Sequence, residues 1–88
     1  MKLDFYPILE FKDILKDNYI KYAESLNHII FNINGVVYSF ISFSNICVIE
    51  KKISNEQYII EIKNYNDYVK RINLLIKYLK EVNNGELE

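Results

Sequence analysis

Between Ile8 and Leu26 the apolar residues fall at Ile8, Phe11, Leu15, Tyr19, Tyr22 and Leu26. Steps of three and four keep one face of an α-helix apolar. Pro7 suits a first helical turn, where its missing N–H costs nothing. The spacing predicts a helix over Pro7–Asn27, with Asp17 and Lys21 as an i,i+4 pair. Its start is weak, because Tyr6 is no N-cap residue. Leu9 and Ile20 lie off the main stripe and read as contacts to a second helix.

The pattern then changes period. Asn34-Gly35 lies between two apolar runs rich in β-branched residues, a strong signal for a two-residue hairpin turn in which both central residues take positive φ. That turn sets Ile33 opposite Val36, Phe31 opposite Tyr38 and Ile29 opposite Phe40. Ser44-Asn45 predicts a second such turn, pairing Phe43 with Ile46. A third strand follows over Ile46–Ile53. After the break at Ser54-Asn55 a fourth runs from about Gln57 to Lys63. With loops of even length, one face carries through all strands. It holds Ile29, Phe31, Ile33, Val36, Tyr38, Phe40, Cys47, Ile49, Ile53, Tyr58, Ile60 and Ile62, with Ser42 and Lys51 out of character near strand ends.

Asn64 is a good N-cap. Beyond it Tyr65, Tyr68, Val69, Ile72, Leu75, Ile76, Leu79 and Val82 form one helical stripe. Asn84-Gly85 ends it, leaving residues 84–88 as a frayed tail. The predicted order is α-β-β-β-β-α. It is a single α+β domain over 1–88, a four-stranded antiparallel meander with N- and C-terminal helices on one face.

The opposite sheet face is too apolar for open solvent. By the same parity it presents Ile30, Val37, Ile41, Phe43, Ile46, Val48 and Ile59 among His28, Asn32, Ser39, Glu50, Lys52, Gln57, Glu61 and Lys63. A large apolar patch marks an interaction site unless another element covers it. These seven residues are the candidate partner-binding set, for a second copy or for a foreign protein. A covering helix is the structural alternative.

Composition narrows the chemistry. Of 88 residues, 11 are Lys or Arg and 12 are Asp or Glu, a formal charge of −1. That balance argues against a nucleic-acid partner bound by bulk electrostatics. Ile, Asn, Lys and Tyr make up half the chain, the bias of an AT-rich genome, so many Lys and Asn residues read as default surface. Eight Tyr without Trp would suit a contact surface, although most fall on predicted core stripes. The chain starts without a basic region and apolar run, so no signal peptide is expected. The apolar region from Ile29 to Ile49 is broken by Asn, Gly and Ser, so no membrane span is expected. The reading is a soluble cytoplasmic protein.

One Cys and one His exclude a disulfide framework and a standard zinc site. Cys47 falls on the inner face and reads as a buried hydrophobe. His28 lies beside Ile30 and Ile41, with no nucleophile or carboxylate to serve. Glu50 and Glu61 share the outer face with Lys52 and Lys63, a solvated charge mosaic rather than an acid–base pair. With only Gly35 and Gly85, a glycine-rich phosphate loop is not available. The chain therefore reads as a non-enzyme with no catalytic residue, no cofactor and no metal.

No motif points to a family. Three functional classes remain. One is a small protein that occludes a larger partner, of the type of phage or mobile-element inhibitors such as anti-CRISPR or immunity proteins. The second is a homo-oligomeric protein that binds or sequesters a small ligand or nucleotide through Tyr, Asn and Lys. The third is an antitoxin-like partner in a two-gene module.

Overall fold

The computed structural model describes residues 3–85. Its elements are α1 (Pro7–Asp17), β1 (Tyr22–Ser25), β2 (His28–Ile33), β3 (Val36–Phe43), β4 (Ile46–Lys51), β5 (Glu56–Glu61) and α2 (Tyr65–Gly85). The strands form one antiparallel sheet in the order β1-β2-β3-β4-β5. The α+β class holds, and the sheet has five strands where the sequence predicted four.

The extra strand comes from the tail of the predicted first helix. α1 stops at Asp17 in a Schellman motif: the Tyr19 N–H donates to the Lys16 carbonyl at 3.0 Å and the Ile20 N–H to the Leu15 carbonyl at 2.9 Å. Tyr19 occupies the left-handed position, at φ 58, where glycine is usual. Leu15 and Ile20 are both buried in the core, so a hydrophobic pair accompanies the cap. The chain then turns into β1, and Leu26-Asn27 closes a two-residue hairpin onto β2. Lys21 consequently lies outside any helix, and the expected Asp17–Lys21 pair does not form.

The central sheet follows the predicted register. Ile33 faces Val36, Phe31 faces Tyr38, Ile29 faces Phe40 and Phe43 faces Ile46. At Asn34-Gly35 both residues take positive φ, 53 and 90. A Cβ on Gly35 would meet nothing, so the backbone angle and not space demands glycine there. β4 ends at Lys51, two residues early, and Lys52–Asn55 form a four-residue turn. Ile53, expected on the inner face, is in that turn and 86% exposed. β5 runs Glu56–Glu61 rather than to Lys63, and the Ile62 N–H extends its ladder by donating to the Asn45 carbonyl at 2.6 Å. Every hairpin loop has an even length, so the inner face survives these shifts.

Both helices pack on that inner face. Phe11, Ile14 and Leu15 of α1 and Tyr68, Ile72, Ile76 and Leu79 of α2 join Ile29, Phe31, Tyr38, Phe40, Cys47 and Ile49 in one core. Phe11 stacks on Phe40 with centroids 4.0 Å apart and meets the edge of Phe31 at 5.3 Å. Asn64 caps α2 by accepting from the Asp67 N–H at 2.8 Å. The α2 stripe differs from expectation at its ends. Tyr65 and Val82 are exposed, and Asn83 is buried in place of Val82. Leu9, expected against a second helix, is 51% exposed. Of the tyrosines, Tyr38 and Tyr68 are buried, whereas Tyr6, Tyr19, Tyr65 and Tyr78 are exposed. Asn84 and Gly85 belong to α2, and the remainder of the expected tail, 86–88, lies outside the described residues.

Candidate partner-binding surface

No described helix covers the outer sheet face. Ile59 is 64% exposed and Phe43 54%, with Val37 also exposed, while Ile30, Ile41, Ile46 and Val48 are half-buried by their sheet neighbours. The register shows which of the seven lie together. Ile41, Val48 and Ile59 are directly opposite one another across β3, β4 and β5. Phe43 and Ile46 form the adjacent row on β3 and β4. These five side chains make one patch at the end of the sheet nearest the Ser44-Asn45 turn. Val37 lies beyond the row of Ser39, Glu50 and Gln57, and Ile30 stands at the β2 end of that row, opposite Ser39.

That polar row gives the patch a mixed floor. A depression of about 320 Å³ is lined by Ile41, Phe43 and Val48 at one end and by Ser39, Glu50 and Gln57 at the other. Ser39 is buried in the sheet centre. The Glu50 carboxylate meets the Lys52 ammonium at 3.6 Å, so its charge is partly neutralised at the rim. His28 is exposed beside Ile41. An apolar centre with a polar border is the arrangement of a protein–protein contact.

Cys47 lies on the other face, fully buried, and burial pushes its thiol up to about 12. A thiol so placed is protonated at neutral pH and is a poor nucleophile. Burial likewise raises the Tyr68 hydroxyl, with Cys47 and Glu10 adding to the effect, and that hydroxyl donates to the Pro7 carbonyl at 2.7 Å. Tyr65 is raised by the Glu10 carboxylate beside it. Among the described residues no cluster of His, Cys, Asp and Glu could hold a metal ion, and no helix is long and apolar enough to cross a membrane.

A second concave site was not visible in the sequence. Where the C-terminal ends of α1 and α2 meet the β2–β3 turn, a cleft of about 350 Å³ is lined by Asn18, Asn32, Asn34, Asn84, Lys80 and Tyr19, with Ile20 and Ile33. Lys80 Nζ donates to Asn18 Oδ1 at 3.1 Å, and Asn34 Nδ2 to Asn84 Oδ1 at 2.8 Å. The lining has no carboxylate. Its residues come from three separated segments, and in sequence its asparagines are indistinguishable from compositional background. Comparison of the chain with protein-family models, curated proteins and solved structures found no match.

Proposed function

We propose that this chain is a small non-enzymatic binding module that acts by occluding a larger protein, in the manner of phage- or mobile-element-encoded inhibitors. The observation that carries the reading is the uncovered apolar patch of Ile41, Phe43, Ile46, Val48 and Ile59. A free sheet face of this character loses solvent-exposed apolar area only by contact with another surface. The rigid sheet presents it without an ordering cost, which favours affinity from a small contact. An inhibitor of this kind needs no reacting group, and the buried, protonated Cys47 is in keeping with that.

The test is capture of the partner by tagged protein from the cells that encode it, read by native mass spectrometry. A stoichiometric complex with one larger protein is expected. The double variant Ile41→Asp/Phe43→Asp, checked for its fold by circular dichroism, is expected to lose the complex. A folded double variant that still holds the partner removes this surface from the reading. Such a complex also covers the antitoxin-like case, in which the partner is encoded in the neighbouring gene.

A second reading, a binder of a nucleotide or similar phosphate-bearing small molecule, is favoured by the cleft at Lys80. One ammonium, several amides and no carboxylate offer donors to a phosphate group and its hydroxyl neighbours, with Lys80 set against the negative ends of the two helix dipoles that meet there. A ligand held only by the folded state raises the melting temperature. Nucleotides are then expected to stabilise the native chain and not Lys80→Met. The absence of any shift across a broad nucleotide panel ends this reading.

A further inference from the structure

The two edges of the sheet are built differently. β1 is four residues long, and its inner-side Glu24 is held by Lys12 from α1 at 3.2 Å. A short strand with a charge near its edge resists pairing with another chain. β5 is six residues long, has no proline and carries its two charges, Glu56 and Glu61, at its ends rather than at its centre. Its ladder can be read from one bond. The Ile62 N–H donates to Asn45, so by the alternation of antiparallel pairing Ile60 and Tyr58 also turn their backbone groups toward β4. Gln57, Ile59 and Glu61 therefore turn theirs toward the free edge.

We propose that β5 is a homodimer interface, in which two copies pair antiparallel about a two-fold axis at Ile59 and join their sheets into one of ten strands. The register is self-complementary. Centred on Ile59, it sets Ile59 against Ile59 of the second copy and Gln57 against Glu61, twice by symmetry. It is the register in which every outward backbone group of Gln57, Ile59 and Glu61 finds a partner. A slip of one step toward either end pairs one of the three with a residue beyond the strand. Centring on Glu61 sets two carboxylates face to face, which is unfavourable. On the inner side the same axis sets Tyr58 against Ile60.

Two further features fit this occupant. Alongside β5, Tyr58, Ile60, Leu74 and Leu75 line a shallow groove with Arg71, which is paired to Asp67 at 2.9 Å, and its rim on α2 includes Leu74, 58% exposed. Exposed Tyr78 meets Tyr58 edge-on at 6.5 Å. The two-fold brings this groove and its counterpart together and gives these exposed apolar groups a partner. On the outer face the row Ile41–Val48–Ile59 continues across the axis into its copy, doubling the width of the patch. The dimer does not depend on that patch binding a foreign protein.

The test is the solution mass by light scattering across a concentration series, with substitutions on the exposed edge. The native chain is expected to dimerise. Gln57→Glu faces Glu61 of the second copy with a like charge and weakens the dimer about fivefold, whereas Gln57→Lys faces it with an opposite charge and strengthens it by a similar factor. Ile59→Lys sets two ammonium groups on the axis and yields monomer. Ile59→Cys is expected to oxidise to a cross-linked dimer, since directly opposed strand residues lie within disulfide reach and the native Cys47 is buried. A native chain that stays monomeric up to about 1 mM, or a dimer indifferent to these changes, overturns the proposal.

Discussion

Asn83 Nδ2 donates to the Tyr38 hydroxyl at 3.1 Å and to the Ile33 carbonyl at 3.3 Å, in a site where both side chains are buried. The bonds tie the last turns of α2 to the β2–β3 hairpin. Asn83 Oδ1 has no partner among the described residues, so half of this amide's hydrogen-bonding capacity is desolvated without return. Removing one partner of a buried pair costs more than replacing both by apolar groups.

Asn83→Leu alone is therefore expected to destabilise the fold by about 1–3 kcal/mol, because it strands the Tyr38 hydroxyl. Adding Tyr38→Phe is expected to restore much of that loss. Urea unfolding of the native chain, both single variants and the double variant measures the cycle. Strictly additive effects would show that the two groups are not coupled.

Tyr19 supplies a second test. It is 95% exposed and holds φ 58 at the C-terminal cap of α1, a conformation that costs an L-residue about 1–2 kcal/mol. Its side chain recovers nothing from packing. Tyr19→Gly is expected to raise stability by up to about 1 kcal/mol, the strain relieved less the added entropy of an unfolded glycine. The readout is the urea midpoint. A loss of stability would mean that Tyr19 makes a contact in solution that offsets its backbone strain.

The same residue explains where the sequence misleads. Helices usually announce their end with glycine, and here a tyrosine takes the glycine position while Tyr19, Tyr22 and Leu26 prolong the helical spacing. β1 itself, Tyr-Ala-Glu-Ser, has little strand propensity, and Leu26-Asn27 is not a recognisable hairpin turn. Asn18, common at helix ends, is the one local hint. The inner face of β2 to β5 was legible because Asn34-Gly35 and Ser44-Asn45 pin the register, and the four-residue turn at Lys52–Asn55 keeps its parity. Five of the outer-face residues were legible as a cluster for that reason. The Asn-lined cleft was not, since it depends on where two helix ends converge on a hairpin.

The buried thiol predicts an alkaline limb of stability. Burial raises Cys47 from 9.0 to about 12. Below pH 9 the thiol is protonated in both states and its contribution is fully present. Between those values the unfolded chain gives up a proton that the folded chain retains. Stability then falls with rising pH by about 1.4 kcal/mol per unit for this group, and the buried Tyr68 hydroxyl, also raised, steepens the fall at the upper end. Cys47→Ala is expected to lower stability at neutral pH and to flatten the decline that begins near pH 9. Denaturation at several pH values from 7 to 11 measures the slope. An unchanged slope in the variant would assign the decline to other groups.

Two phenylalanines on β3 separate the core from the outer face. Phe40 is fully buried and stacked on Phe11, and Phe40→Ala is expected to cost about 3–5 kcal/mol, through lost burial and the cavity left behind. Phe43, on the opposite face near the strand end, is more than half exposed. Phe43→Asp removes little buried area, and its cost is expected to stay below about 1 kcal/mol. Urea unfolding gives both values. If Phe43→Asp proved as costly as Phe40→Ala, the outer face would be covered in the free protein and unavailable to a partner. A small cost leaves the Phe43 ring at the surface without a role in stability, as the proposed contact surface requires.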